Sequence, residues 1–269
     1  MKSLALLAWL LPGWVAATTV ELSLSGNALI YSGELSAAAN QQLFRLYEQL
    51  EPKPGLLVIT SEGGNFEYGL ALGQWVHARQ LRVSVPRYCN SSCANYVFTA
   101  ASERELGLYA IVAFHGGMMD TRDRIGQMVL RYPERQRPQV QPRIEAMIRD
   151  KQQRETAFFR QIGVDQRITS YGYRPEFRSG IQRYAVWSYS LDMLQRFGVG
   201  KIRITPDDRW FPRPSNHGLM LISAPGEFAC VPPGMAIDRL IDCRDGRVLQ
   251  GSLPEMRAAT YLFAVDNYS

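Results

Sequence analysis

The fold of this chain is decided by residues 56–65, which read LLVITSEGGN. The run at residues 56–60 has no charged residue and is typical of a strand buried in a parallel sheet. Two glycines follow, and residues 68–79 then show the spacing of a helix. The stretch therefore predicts a buried strand, a glycine turn and a helix in direct succession.

The alternation of strand and helix continues on both sides of this stretch. Apolar runs bounded by turn residues predict further strands, and apolar residues three or four positions apart predict further helices. The additional strands are expected over residues 20–24, 28–31, 81–88 and 108–114, and the additional helices over residues 35–50 and 92–101. Strands that alternate with helices predict an α/β fold built around a parallel sheet.

The second half of the chain differs from the first in composition and in predicted secondary structure. Residues 118–180 are mostly helical and polar, and Pro133, Pro138 and Pro142 are expected to break this helical insert into pieces. From residue 201 the chain contains more proline and short apolar runs. A domain boundary is therefore placed near residue 200. The segment after it is either an appendage or an extension packed on the core or on a neighbouring subunit.

Composition and charge indicate a globular protein. The chain has 269 residues, of which 46% are hydrophobic and 20% charged, so disorder is not expected. The net charge is +5, and many arginines lie in the helical insert. Acids such as Asp150 and Glu155 are interleaved with them, which favours a solvated helical surface over a nucleic-acid site.

The N-terminal residues predict export. Lys2 precedes a short apolar run over residues 4–11, and small residues stand before a cut after Ala17. The run is shorter than the roughly 20 apolar residues that a membrane-spanning helix needs. A cleaved signal peptide over residues 1–17 and a periplasmic or secreted mature protein are expected.

The four cysteines predict disulfide bonds, because an even number in an exported chain is typical of them. Four cysteines allow three pairings, and the local one is the most economical. It joins Cys89 to Cys93 and Cys230 to Cys243. A thiolate metal site is disfavoured, because an oxidising compartment removes the thiolates that a metal requires.

Three short segments carry the residue types of acyl-transfer chemistry. Gly63 and Gly64 follow a strand, where bare backbone N–H groups can face a developing oxyanion. Ser91 and Ser92 stand at another strand-to-helix turn, where a hydroxyl can attack a carbonyl or simply cap the helix. His115 ends a further strand, and histidine is the natural base for a serine near neutral pH. The other two histidines, at positions 77 and 217, have no such setting.

In this order and spacing, the segments resemble the ClpP-like branch of the ClpP/crotonase superfamily. Residues 61–69 resemble the family's Ser-x-Gly-Gly-x4-Gly segment, and residues 92–101 resemble its nucleophile helix. Further likeness lies in residues 28–35, in Phe114 with His115, and in residues 187–200. The resemblance spans about residues 20–200. It implies a spiral core of ββα units with a parallel sheet, here with a helical insert and a small disulfide-bonded C-terminal segment.

The resemblance also implies roles for individual residues. Ser92 matches the nucleophile, with Ser91 one place off register as the alternative, and His115 matches the general base. The backbone N–H groups of Gly63 and Cys93, with Gly64 beside them, match the oxyanion hole. A Cys89–Cys93 disulfide would clamp the turn that presents the serine.

The chain departs from the family at the acid that orients the histidine. The matching register falls near Gln182, and Asp165 and Glu176 are the nearest acids upstream. A related branch pairs serine with lysine, for which Lys151 in the helical insert stays open. The crotonase branch binds acyl-coenzyme A, which is not expected outside the cytoplasm.

These observations predict an exported ClpP-like serine hydrolase that acts on a peptide or related acyl substrate. No cofactor, no metal and no nucleic acid are expected, and export excludes an ATP-driven unfoldase as partner. The resemblance implies a homo-oligomer. The alternative is a non-catalytic ClpP-like protein that keeps the groove beside Gly63 and binds peptides or partner proteins.

Overall fold

The structure is a computed structural model that describes residues 18–22, 27–119, 122–205, 210, 212–214, 217–234 and 240–249. It confirms a mixed α/β fold in which helices pack on a largely parallel central sheet. The predicted signal peptide over residues 1–17 lies outside the described residues.

Strands form a central sheet and two smaller ones. In chain order the strands are β1 (Thr19–Leu22), β2 (Ala28–Ser32), β3 (Leu56–Thr60), β4 (Arg82–Val85), β5 (Tyr88–Asn90), β6 (Arg104–Gly107), β7 (Ile111–Ala113), β8 (Trp187–Tyr189), β9 (Ile202–Thr205), β10 (Leu219–Ala224) and β11 (Glu227–Val231). The central sheet has the order β1-β2-β3-β4-β6-β9. β1 pairs antiparallel with β2, and the other neighbours pair in parallel. The smaller sheets have the orders β11-β10-β8 and β5-β7.

Helices connect these strands and form the insert. They are α1 (Ala37–Gln49), α2 (Phe66–Ala78), a π-helix (Cys93–Phe98), α3 (Arg122–Leu130), α4 (Arg137–Ile162), α5 (Arg178–Tyr184) and α6 (Leu191–Arg196). Short 3-10 turns at Glu134–Gln136, Gln166–Thr169, Tyr171–Tyr173 and Pro175–Phe177 join the later helices. Local sequence explains several starts: Ser36, Asn65 and Ser190 each accept a hydrogen bond from a backbone N–H in the first turn of α1, α2 and α6.

The buried core lies between the sheet and its helices. β3 buries Leu57 and Ile59 completely, as the uninterrupted apolar run predicts. α2 carries Gly69 and Gly73 on the face that contacts the π-helix. A Cβ atom on Gly73 would lie 2.5 Å from the carbonyl oxygen of Tyr96. The two helices therefore approach backbone to backbone, which requires glycine at this contact.

Prolines account for two differences from the predicted elements. The predicted strand over residues 81–88 is divided into β4 and β5, because Pro86 has no N–H to donate to a strand ladder. The expectation that Pro138 and Pro142 break the insert is wrong, since both lie inside α4. Pro138 stands in the first turn of α4. A backbone N–H in this turn has no intrahelical acceptor, so the missing N–H of proline costs no hydrogen bond. Pro142 removes one hydrogen bond from a helix that buries Ile144 and Ile148.

The described part of the C-terminal segment packs on the core. The boundary near residue 200 falls just before β9, which completes the central sheet beside β6. β10 pairs in parallel with β8, and Trp210, Met220 and Ile222 belong to the main buried cluster. The sequence left open whether this segment is an appendage or an extension that packs on the core or on a neighbouring subunit. In the structure, its described residues pack on the core of their own chain.

Two disulfides are present, Cys89–Cys93 and Cys230–Cys243, which is the local pairing. Disulfides of this kind persist in oxidising compartments. Within the described ranges, no helix is long and apolar enough to cross a bilayer.

Gly73→Ala and Gly126→Ala form a matched pair of tests, since both glycines lie inside helices. The new methyl group at position 73 would meet the Tyr96 backbone, and such overpacking costs about 1–3 kcal/mol. At position 126 the Cβ would meet nothing within 4 Å, so helix propensity should stabilise α3 by up to about 1 kcal/mol. Urea unfolding should move the two midpoints in opposite directions. Equal shifts would contradict the packing of α2 on the π-helix.

Candidate functional site

A second set of backbone pairings brings the ends of several strands together beside the central sheet. Ser61, just after β3, bridges in parallel to Cys89 in β5, and β5 pairs in parallel with β7. Asn90 N–H donates to the Ser61 carbonyl at 2.9 Å, and Ser91 N–H donates to the Ala113 carbonyl at 2.8 Å. The glycine turn, the serine turn and the strand end before His115 therefore meet at one edge.

Ser91 and His115 make direct contact at this edge. The Oγ atom of Ser91 lies 2.5 Å from Nε2 of His115. Ser91 has a φ of +56°, a left-handed conformation that non-glycine residues rarely adopt. This conformation turns the chain sharply between β5 and the π-helix and presents the hydroxyl to the histidine. His115 is exposed and Ser91 is half-buried, so the pair is open to solvent on one side.

Ser92, the expected nucleophile, lies elsewhere. Its hydroxyl donates to the Gly64 carbonyl at 2.8 Å, and the residue is only 7% exposed. Ser92 already has right-handed helical backbone angles, which point its side chain back toward the glycine turn. The structure thus brings the alternative, Ser91, to His115, and gives Ser92 a hydrogen bond that ties the π-helix to the turn.

The glycine turn packs directly against the serine turn. Gly63 has a φ of +94°, and a Cβ there would lie 2.8 Å from Ser91 Cβ and 2.9 Å from the Ser92 nitrogen. Only a residue without a side chain fits. The Gly63 N–H, expected in an oxyanion hole, donates to Ser61 Oγ at 3.0 Å.

The residue that follows the paired serine is Ser92, which takes the place expected for Cys93. Ser92 stands at the start of the helical turn, where an N–H has no intrahelical acceptor. Its amide lies against Gly63, as the close approach to the Ser92 nitrogen shows. The amide that follows the hydroxyl paired with His115 is therefore that of Ser92, one residue earlier than the resemblance implied.

The structure gives the surroundings of the three candidates for the residue that orients His115. The carboxylate of Asp165 accepts hydrogen bonds from the Arg167 guanidinium at 2.9 and 3.0 Å, and these bonds lower its pKa. Glu176 pairs with Arg174 at 2.8 Å. Gln182 lies exposed on α5. The described hydrogen bonds of the two acids go to arginines of their own turns.

Two side chains that sequence reasoning missed hold the backbone around His115. The hydroxyl of Tyr173 donates to the His115 carbonyl, and Asn95 Nδ2 donates to the Gly116 carbonyl at 2.8 Å. Asn95 comes from the π-helix that follows Ser91, whereas Tyr173 comes from a turn 58 residues away. No sequence signal marks Tyr173, because its partner is a backbone atom distant in the chain.

Glu155 is a residue whose surroundings the sequence analysis predicted incorrectly. It was expected on a solvated face of the insert, yet it is completely buried. Its carboxylate accepts from the Tyr96 hydroxyl at 2.6 Å, from Gln166 Nε2 at 2.7 Å and from the Met118 N–H at 2.9 Å. A buried carboxylate is tolerated when it is fully hydrogen-bonded. Glu155 thereby joins α4 to the π-helix and to the segment just after His115.

Lys151 pairs with an acid on α2. Its ammonium group lies 3.8 Å from the Glu67 carboxylate on α2. Arg154 also pairs with Glu67, at 2.7 Å. The interleaved charges expected in the insert thus form ion pairs between α4 and α2.

A cleft of about 400 Å³ opens at the Ser91–His115 pair. Its walls combine apolar side chains with a few polar ones. The lining residues are Glu62, Tyr88, Asn90, Ser91, Ile111, Ala113, His115, Val186, Pro214, His217 and Leu219. His217, which has no distinctive setting in the sequence, therefore faces the same cleft as His115. Among the described residues, no cluster of three histidine, cysteine or acidic side chains could hold a metal.

The Cys89–Cys93 disulfide closes the serine turn. It joins β5 to the first residue of the π-helix, with Cα atoms 5.2 Å apart, and Ser91 is the middle residue of the closed loop. The crosslink therefore restrains the strained backbone that presents the hydroxyl.

Comparison of the chain with protein-family models and with curated proteins gives no significant match.

Glu155→Ala tests the buried network around the site. The substitution removes the acceptor of two buried donors, the Tyr96 hydroxyl and the Met118 N–H, and of the half-buried Gln166 amide. At about 1–3 kcal/mol for each buried donor, a loss of at least about 2 kcal/mol is expected. Glu145→Ala, on the same helix but half-buried, should cost less than about 0.5 kcal/mol. Chemical unfolding of both variants measures the difference. Similar small losses would show that the network does not hold the insert.

Proposed function

We propose that this protein is an exported serine hydrolase of the ClpP/crotonase type, with Ser91 as nucleophile and His115 as general base. The observation that carries the proposal is the 2.5 Å contact between Ser91 Oγ and His115 Nε2. It joins a strained serine turn to a histidine at the mouth of a cleft. Nucleophile and base within hydrogen-bond reach are the geometric signature of an activated serine.

The reaction follows from this geometry. Ser91 Oγ attacks the carbonyl carbon of a peptide or related acyl substrate, while its proton passes to Nε2 of a neutral His115. The tetrahedral intermediate collapses when the bond to the leaving amine or alcohol breaks, and His115 gives its proton to that group. The acyl-Ser91 ester is then cleaved by water, which His115 deprotonates in turn. Hydrolysis leaves the serine and the histidine as they began.

The oxyanion of the intermediate needs hydrogen-bond donors next to Ser91. The N–H of Ser92 is the first candidate, because it follows the nucleophile and lacks an intrahelical acceptor. The N–H of Gly64 is proposed as the second donor to the oxyanion, because the Gly63 N–H already donates to Ser61 Oγ. Gly63 contributes by its missing side chain, which lets the two turns approach.

The positioning of His115 is proposed to come in part from its backbone. The Tyr173 hydroxyl and the Asn95 amide hold the carbonyls of residues 115 and 116. Gly116 lets Tyr173 approach because it has no Cβ, which would lie 3.2 Å from the tyrosine ring. Backbone anchors of this kind restrict where the imidazole can lie. They support catalysis by keeping the base within reach of the hydroxyl.

A non-catalytic peptide-binding protein is the second candidate. It is favoured by the arginine partners of Asp165 and Glu176, the two acids nearest to the expected register. Loss of the orienting acid costs about 10⁴-fold in the serine-protease case. The cleft would then bind a peptide without turnover.

The compartment and the assembly are part of the same proposal. The two disulfides support an oxidising compartment, for which we propose the periplasm or the extracellular space after removal of residues 1–17. The homo-oligomer and the absence of an unfoldase partner stay predictions from the resemblance.

The proposal is tested by labelling the purified mature protein with an alkyl fluorophosphonate, which reacts with activated serines. Wild-type protein should be labelled, and peptide mass spectrometry should place the adduct on Ser91. Ser91→Ala and His115→Ala should each lower labelling at least 100-fold, in line with the general-base contribution of about 10²–10⁴.

Ser92→Ala is the matched control, because it removes a neighbouring hydroxyl that is bonded to Gly64 instead of His115. An adduct on Ser92, or labelling that survives in Ser91→Ala, would transfer the nucleophile to Ser92. A folded, disulfide-intact wild type that is not labelled at all would favour the peptide-binding alternative.

Removal of the disulfide that closes the serine turn should weaken the activated serine. Left-handed strain at a non-glycine residue costs about 1–3 kcal/mol. If the Cys89→Ser/Cys93→Ser variant relaxes that strain, the labelling rate should fall at least about tenfold. The Cys230→Ser/Cys243→Ser variant, which removes the other disulfide, should keep the labelling rate of folded protein. Equal rates in all three proteins would show that the crosslink does not position Ser91.

A further inference from the structure

We infer that the cleft beside Ser91 selects substrates with a cationic side chain next to the attacked carbonyl, and that Glu62 is the residue that selects them. This inference rests on the proposed function of Ser91. It adds a substrate class that neither the serine nor the histidine specifies.

The charge pattern of the cleft is the first observation. The chain as a whole carries a net charge of +5, yet none of the described lining residues is lysine or arginine. Glu62 supplies the one carboxylate of that lining, and its side chain is exposed to the cleft. A cation that enters the cleft therefore meets one acidic group among the described lining residues.

The second observation is that this carboxylate is held in place. Asn90 Nδ2 donates to Glu62 Oε2 at 2.8 Å. Asn90 precedes Ser91 directly, and Glu62 precedes the Gly63–Gly64 turn. The acid is thus attached to both turns that build the site. A carboxylate accepts about four hydrogen bonds, so the one from Asn90 leaves room for an ammonium or guanidinium group.

The third observation is the apolar wall that accompanies the acid. Ile111, Val186 and Leu219 line the cleft together with the ring of Tyr88. Lysine and arginine side chains combine an aliphatic stem with a charged head, and the stem packs on apolar surface while the head seeks a partner. A cleft of about 400 Å³ with apolar walls and one anchored carboxylate fits this chemistry better than an acidic or purely aliphatic side chain.

The experiment uses two diphenyl phosphonate probes that differ only at the end of the side chain, the lysine analogue and the norleucine analogue. Both react with an activated serine, so the ratio of their inactivation rate constants measures the preference for the cation. In the wild-type protein the lysine probe should react at least about tenfold faster, the low end of what a charge-assisted hydrogen bond contributes.

Variants of Glu62 should change this ratio in a defined order. Glu62→Gln should bring it close to one, and Glu62→Lys should bring it below one through like-charge repulsion. Glu67→Gln is the matched control, because Glu67 pairs with Arg154 on the insert and does not line the cleft. That variant should keep the wild-type ratio.

Failure of the inference can be told apart from failure of the proposed function. If an alkyl fluorophosphonate labels Ser91 but the two phosphonates react equally, or Glu62→Gln keeps the lysine preference, the selectivity assigned to Glu62 is overturned while the hydrolase stands. If no probe labels the folded wild type, the hydrolase and the selectivity are overturned together.

Discussion

The site depends on one steric constraint, the contact between the glycine turn after β3 and the serine turn after β5. No side chain fits between them, because a Cβ on Gly63 would lie within 3 Å of Ser91 and of the Ser92 nitrogen. The backbone bridge from Ser61 to Cys89 sets that distance, and the Ser92 hydroxyl bonded to Gly64 reinforces it. Beside this contact, Ser91 adopts the left-handed conformation that presents its hydroxyl to His115.

The helical insert stabilises this arrangement from the opposite side. Glu155 reaches from α4 to the Tyr96 hydroxyl in the π-helix and to the Met118 N–H, three residues after His115. The π-helix after Ser91 and the segment after His115 are therefore tied to the same buried carboxylate. A buried carboxyl group is tolerated when donors surround it, and the three described donors fix the position of the Glu155 side chain.

Under the proposed function, the cleft and the turn contacts have two separate tasks. The proposed chemistry uses Ser91, His115 and the amide of Ser92, all at one edge of the site. The choice of substrate is assigned to the wall that contains Glu62, which Asn90 links to the serine turn. Part of that wall comes from Leu219 and His217, so the segment after residue 200 shapes the cleft as well as the core.

The sequence by itself determined the α/β class, the buried strand β3 and the glycine turn, and it favoured the local disulfide pairing as the most economical of three. Strands, helices and turns depend on local periodicity and backbone chemistry, which the sequence carries, whereas the set of segments that meet at the site followed from the family resemblance. The tertiary structure alone decided that Ser91 rather than Ser92 contacts His115, because one residue of register depends on the pairing of β5 with β7 and on a left-handed turn. It also decided the burial of Glu155, the role of Tyr173 and the place of His217. Each of these rests on contacts between residues far apart in the chain, and no local pattern encodes them.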